Sequence, residues 1–303
     1  MSKVISIITE WSASIGSGHI QRMMALASLI NSKNDFKAYI INQKTFIEGY
    51  REFDDIILND IHPETKFLIR DMRDSSQDQI EKLKKIAPVL VIDDLGEGAN
   101  YADLKISILP DPQTNTHDIK KFLFGYNFSE SIKSLQPKHF YNKDIDIAFY
   151  TGYKPDINYV SLITNLFPAN STYAVLSGNE SFLFQNGEKK NFNLKFSEAI
   201  LRSKILISHF GLCIYEGFAC RSVPMTINPT EYHGILTKIV QKEMGIIDLG
   251  LLDTLDKNKA AEIIKKTLAD IKAEPVSPEE VLNRIINSEN EFYNYLLNIT
   301  GSK

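Results

Sequence analysis

Val4-Ile5-Ser6-Ile7-Ile8, followed at a short distance by Gly16-Ser17-Gly18-His19-Ile20-Gln21-Arg22, is the stretch on which the fold turns. The first run has the apolar density of a strand buried on both faces. From His19 to Asn31, apolar residues recur at Ile20, Met23, Met24, Ala27 and Ile30, which is helical spacing. The two glycines between strand and helix let the backbone turn tightly and come close to a ligand. Strand, glycine turn and helix in that order open an α/β layer architecture.

The same rhythm continues outward. Strand-like runs fall at Ala38–Ile41, Ile56–Leu58, Val89–Ile92 and Ile106–Leu109, and Gln77–Ile86 reads as a helix ended by Pro88. Gly125 to Asn142 breaks the pattern with Pro137 and no long periodic apolar run, and is read as the linker. The alternation then restarts, with strands at Ile145–Tyr150, Tyr173–Leu176, Ile205–Ile207 and Pro224–Ile227. Helices are expected at Tyr159–Leu166, Phe196–Arg202, Leu212–Cys220 and His233–Glu243. Lys257–Ala273 and Pro278–Leu297 close the chain as two amphipathic helices, the second with proline in its first turn. The expectation is an α/β protein of two Rossmann-like domains facing an inter-domain cleft. Residues 1–135 form the first domain, 140–276 the second, and 277–303 a helix packing back towards the first. One large doubly wound sheet is the alternative.

Composition agrees with a globular chain. It has 303 residues, 43% hydrophobic and 24% charged, enough to bury a core without disulfides or metals. A net charge of −4 argues against a broad basic surface, so no nucleic-acid partner is expected. Cys213 and Cys220, on one helix, would stand about 10 Å apart, beyond the roughly 7 Å a disulfide spans. They are read as free thiols of a reducing compartment, and a cytoplasmic location is expected. The apolar start breaks at Thr9-Glu10, too early for a signal peptide. No stretch approaches the ~20 apolar residues of a membrane span, so stable membrane insertion is not expected.

Two segments carry chemistry. In the first, the start of the helix offers unpaired N–H groups suited to anions. His19 in its first turn would project from the carboxyl edge of the sheet, where a neutral imidazole suits general-base work. No third glycine follows, so this is not the dinucleotide fingerprint, and a plain turn with a capping histidine is the competing view. The second segment is Ser208-His209-Phe210-Gly211-Leu212-Cys213-Ile214-Tyr215-Glu216, again strand, glycine and helix. Gly211 opens a helix start suited to phosphate. Glu216, about one turn in, can accept two hydrogen bonds from a ribose diol; otherwise it is a solvated helix residue. Its neighbours Tyr215, Gly217, Phe218 and Ala219 favour a carboxylate with a partner. Asp93-Asp94 could suggest a metal, but Asp93 reads better as capping a turn, and no metal or cofactor is expected. His62, His117 and His139 are read as surface histidines, Asp111 as a rigid-turn residue.

The chain resembles the UDP-sugar hydrolases of pseudaminic acid biosynthesis (the PseG type) and the broader MurG-like GT-B families. Ser12-Ala13-Ser14-Ile15-Gly16-Ser17-Gly18-His19-Ile20-Gln21-Arg22 is similar to their Ile-Gly-x-Gly-His-x-x-Arg run, and the Gly211–Glu216–Pro224 segment to their nucleotide-binding helix. The resemblance implies His19 as the base that activates water, with Gly16, Ser17, Gly18, Arg22, Asp94, Tyr232 and His233 on the substrate side. It implies His209, Gly211, Leu212 and Cys213 about the diphosphate, Glu216 on the ribose, and Ser177 and Gly178 near a uracil. The chain departs from the hydrolases in two places. Asp93-Asp94-Leu95-Gly96 stands where they carry Asp-His-Tyr-Gly, so a phenol implicated in catalysis is replaced. Tyr232-His233 stands in place of an Asn-Gln pair. The expected partner is a UDP-sugar, hydrolysed with water as nucleophile. Transfer to another hydroxyl by the same base is the alternative, and a non-catalytic nucleotide-sugar-binding protein a third.

Overall fold

The computed structural model describes residues 3–10, 17–33, 35–42, 53–114, 122–152, 157–177, 180–185, 187–190 and 194–300. The chain forms two compact units. One comprises Met1–Asp111, Thr116–Tyr126 and Ile286–Lys303, the other Pro112–Asn115 and Asn127–Ile285.

Unit 1 is built on six strands: β1 (Lys3–Thr9), β2 (Phe36–Asn42), β3 (Ile57–Leu58), β4 (Thr65–Asp71), β5 (Val89–Ile92) and β6 (Leu104–Ile106). Their spatial order is β3-β2-β1-β4-β5-β6, all parallel. From β1 the chain crosses through helix α1 (Gly18–Asn31) to β2 on one side, while β4 pairs with β1 on the other. The sheet therefore changes direction between β1 and β4, the place where open α/β sheets take ligands. The predicted apolar stripe of α1, Ile20, Met23, Met24, Ala27 and Ile30, is buried. Helix α2 (Gln77–Lys84) starts at a capping box, Ser76 with Gln79, and lays Ile80 onto Ile8, Leu68, Val89 and Val91.

β4 was not among the expected strands. Its sequence, Thr65-Lys66-Phe67-Leu68-Ile69-Arg70-Asp71, carries three charges, yet only Lys66 is exposed. Arg70 and Asp71 are tolerated inside because each has ionic partners, described below. β6 also ends earlier than the Ile106–Leu109 run suggested. The amides of Ile108 and Leu109 are taken by the Asp93 carboxylate instead of a neighbouring strand.

The expected linker contains helix α3 (Tyr126–Lys133), short but anchored by buried Phe128 and Ile132. Unit 2 follows with β7 (Ile145–Tyr150), α4 (Ile157–Thr164), β8 (Thr172–Ser177), β9 (Glu180–Gln185), β10 (Glu188–Lys189), α5 (Phe196–Leu201) and β11 (Ser203–Ser208). Then come α6 (Leu212–Ala219), β12 (Val223–Asn228), α7 (Glu231–Met244), β13 (Ile247–Leu251) and α8 (Lys257–Asp270), and last α9 (Pro278–Ile299), which belongs to unit 1 from Ile286 onward. The sheet order is β10-β9-β8-β7-β11-β12-β13, parallel except for the β8-β9-β10 edge. Its direction changes between β7 and β11. Phe149, Ile163, Ile205, Ile207, Met225, Ile227 and Ile264 form a core on one face of this sheet. The antiparallel edge and β13 were not expected, the latter because Asp248 and Gly250 interrupt its apolar run.

Candidate functional site

Each unit gathers polar side chains at its switch point. In unit 1, Gln21 N–H donates to the Ser17 carbonyl at 3.0 Å, closing the first turn of α1 and fixing His19 in it. His19 is buried, and its Nδ1 lies 2.7 Å from Asp71 Oδ1 at the end of β4. Arg22, one turn along α1, donates Nε–H to Asp71 Oδ2 at 2.6 Å and Nη2–H to Oδ1. Its Nη1–H donates to Asp93 Oδ2 at 2.6 Å. Asp93 is held at φ 51°, and its Oδ1 accepts the Ile108 and Leu109 amides.

Burial pushes the Asp71 carboxyl up, but the charges of Arg22 and His19 and their hydrogen bonds overcome it and bring the pKa down to about 2. Burial pulls Arg22 down and the two aspartates more than reverse it, so its pKa lies above the ordinary value. Asp71 is thus a carboxylate, an acceptor only, and favours a proton on His19 Nδ1, although the donor Arg22 Nη2 also stands 3.3 Å from that nitrogen. The lone pair is left on Nε2. This is the arrangement of an oriented base, in which a buried carboxylate sets the tautomer.

Two residues placed on the substrate side have ionic partners within unit 1. Arg22 is 2% exposed and its guanidinium is engaged by two aspartates, Asp71 and Asp93. Asp94 is fully buried; it pairs with Arg70 Nη1 at 2.8 Å and accepts the Ser75 and Gly96 amides. It ties the β4–α2 turn to the turn after β5. Ser17 and Gly18 lie at the start of α1, where no side chain caps the helix. Gly16 and Gly178, like His117, lie outside the described residues.

In unit 2, β11 runs into His209, Phe210 and Gly211, then α6. Phe210 N–H donates to Asn228 Oδ1, and Asn228 Nδ2–H to Thr237 Oγ1, so the turn is stitched to β12 and α7. Gly211 supplies no side chain to cap α6, which leaves the first-turn N–H groups at Leu212 and Cys213 without a side-chain cap. Gly217 brings α6 hard against β11: a Cβ there would stand 2.4 Å from Leu206 Cδ2. Glu216, beside it, is 5% exposed and is no solvated helix residue. Burial drives the Cys213 thiol well above its ordinary pKa, so this residue offers a backbone amide and no thiolate.

Around Gly211 the side chains are aromatic. His209 lies 6.1 Å from the Tyr150 ring at the end of β7 and edge-on to His233 at 5.7 Å, and Tyr232 meets His233 at 5.7 Å. His233 Nδ1 is 2.7 Å from Thr230 Oγ1, the cap of α7. Burial lowers the His209 pKa and raises that of Tyr150, so both are neutral near pH 7. The structure thus brings His209, Gly211, Leu212, Tyr232 and His233 to the carboxyl ends of neighbouring strands, with Ser177 closing β8 beyond β7. Asp71, Tyr150 and Asn228 were not foreseen. Each sits at or beside a strand's carboxyl end, the one signal that could have marked it.

Among the described residues no group of three or more His, Cys, Asp or Glu side chains is placed to hold a metal ion. None of the described helices is long and apolar enough to cross a membrane.

No family model matches the chain, and no curated protein does. Solved structures do. The glycotransferase of kitacinnamycin aligns with a TM-score of 0.59 at 9% identity, over 99% of both chains. A putative UDP-N-acetylglucosamine 2-epimerase from Listeria monocytogenes aligns with a TM-score of 0.56 at 10% identity, over 100% of this chain and 98% of that one. S. aureus MnaA with UDP aligns with a TM-score of 0.53 at 10% identity, over 97% of each. At such identities the likeness is one of fold: this is an α/β chain of two Rossmann-like domains that matches GT-B glycosyltransferase structures.

Proposed function

We propose that this chain cleaves the anomeric C–O bond of a nucleotide-sugar, with a UDP-sugar as substrate, and passes the sugar to an oxygen nucleophile deprotonated by His19. The observation that carries the reading is the 2.7 Å contact between His19 Nδ1 and the buried Asp71 carboxylate, which reserves Nε2 as a base. The nucleophile's proton passes to Nε2 as its oxygen bonds to the anomeric carbon and the bond to the diphosphate breaks. Asp71, Asp93 and Arg22 together carry one net negative charge, which the proton on His19 neutralises. Within unit 2, the uncapped start of α6 suits a diphosphate, and Glu216 suits a ribose diol. UDP is the nucleotide proposed because a chain of the same fold is known with UDP bound.

An acceptor hydroxyl is the favoured nucleophile. Leu95 stands where the water-using enzymes of the resemblance carry a tyrosine, and Asp94 beside it is sealed against Arg70. Water is the second reading, favoured by the Gly16-Ser17-Gly18-His19 run and Arg22. A panel of UDP-sugars with the purified chain separates them. UDP released only with an acceptor supports transfer, and release without one supports hydrolysis. Measurable UDP binding with no release from any donor overturns both. His19→Ala is expected to abolish turnover and leave UDP affinity within a few-fold; an active variant removes the base.

A further inference from the structure

Thr9 ends β1, is 4% exposed, and its Oγ1 is buried without a hydrogen bond among the described residues. The other hydroxyl in this strand, Ser6 Oγ, is satisfied by Thr65 Oγ1 at 2.6 Å. Ser75 Oγ is also unbonded, but it is wedged against Gly98, where a Cβ would come within 2.4 Å of it. Thr9 stands elsewhere. It is the register partner of Asp71 across the parallel β1–β4 ladder. Ile8 and Leu68 pack together on the α2 face of the sheet. The two-residue period of a strand therefore puts Thr9 and Asp71 on the opposite face, where His19 and Arg22 of α1 reach Asp71. In a strand whose other buried residues, Ser6 apart, are Val4, Ile5, Ile7 and Ile8, a valine would fill the same space without a buried hydroxyl. The large majority of buried hydroxyls in folded proteins have partners, and this one lies on the sheet face where Asp71 holds His19.

We infer that Thr9 is a substrate-contact residue whose Oγ1–H donates a hydrogen bond to the nucleophilic oxygen while His19 Nε2 takes that oxygen's proton. The oxygen uses one lone pair for Thr9 and keeps the other for the anomeric carbon, so two contacts fix its line of attack. This rests on the function proposed above, and the test separates the two. Thr9→Val removes the hydroxyl at constant shape, and Thr9→Ser keeps it. Turnover, UDP affinity and thermal midpoint are measured for both, beside wild type and His19→Ala. Thr9→Val is expected to lower kcat about tenfold, the worth of a hydrogen bond made in the transition state. Its UDP affinity is unchanged and its midpoint equal or higher, and Thr9→Ser keeps most of the rate. Full kcat in Thr9→Val overturns the inference while His19→Ala remains inactive and upholds the base. Equal losses of rate and midpoint in Thr9→Val and Thr9→Ser show a packing role and also overturn it. A wild type that turns over no nucleotide-sugar removes the function and the inference together.

Discussion

Asp71→Asn tests the unit 1 site most directly. The amide occupies the carboxylate's space but offers one acceptor oxygen and one donor NH2. The native carboxylate accepts from His19 Nδ1 and from Arg22 Nη2 on Oδ1, and from Arg22 Nε on Oδ2. If the amide oxygen takes the Oδ1 position, its NH2 opposes Arg22 Nε–H. If it takes the other, the NH2 opposes Arg22 Nη2 and forces His19 Nδ1 to accept, which moves the imidazole proton to Nε2 and destroys the base. A tautomer change of this kind costs about 10⁴ in kcat in serine-protease triads, and a loss of at least about 10² is expected here. Stability changes too. The Asp71 pKa falls from 3.8 to about 2 on folding. A depressed carboxyl pKa contributes stability that is full above the unfolded value and is lost as pH falls through the folded one. The contribution is about 2 kcal/mol at neutral pH, disappearing between about pH 4 and pH 2. UDP release at saturating donor measures the first effect, and urea unfolding across that pH range the second. The variant is expected to show a shallower acid limb. A folded variant that binds UDP and keeps kcat within about threefold of wild type refutes the tautomer argument.

Glu216→Ala is expected to weaken UDP binding by about 1.5–3 kcal/mol, the scale of hydrogen bonds to a charged group, read by calorimetric titration. Unchanged affinity removes the ribose assignment. Gly217→Ala places a Cβ 2.4 Å from Leu206 Cδ2 and should cost about 1–3 kcal/mol by overpacking, seen as a lower thermal midpoint. Adding Leu206→Val should recover part of that loss, and a Gly217→Ala protein as stable as wild type would refute the close approach of α6 to β11.

The parts of the fold legible in the sequence are those whose signals are local. The α1 stripe, the glycine before α6 and the turn after β11 announce themselves within a dozen residues, because apolar period and backbone freedom are properties of neighbours. β4 fails that test. Arg70 and Asp71 look like the end of a solvated segment, and only partners far along the chain, Asp94 for one and His19 with Arg22 for the other, make their burial tolerable. Arg22 is legible only in part for the same reason. The resemblance puts it on the substrate side, and only the fold shows that its guanidinium pairs with two aspartates, from β4 and from the turn after β5.

The two switch points are polar for different physical reasons, and this bears on what each can do. In unit 2 the site is made of backbone amides at a helix start and of aromatic rings, with the buried carboxylate of Glu216 on the same helix. In unit 1 it is made of charges. Arg22 joins Asp71 to Asp93, and Asp93 holds the amides of Ile108 and Leu109, so a continuous chain of bonds runs from α1 across β4 and β5 to the residues after β6. Buried ion pairs add little net stability, and losing one partner costs about 3–5 kcal/mol. A hydrophobic edge would therefore close this sheet at least as well, and it would leave no group able to take a proton. The network holds one imidazole by its Nδ1, with Nε2 away from Asp71. A carboxyl edge built at that expense suits proton transfer, the role proposed for His19, more than it suits binding alone.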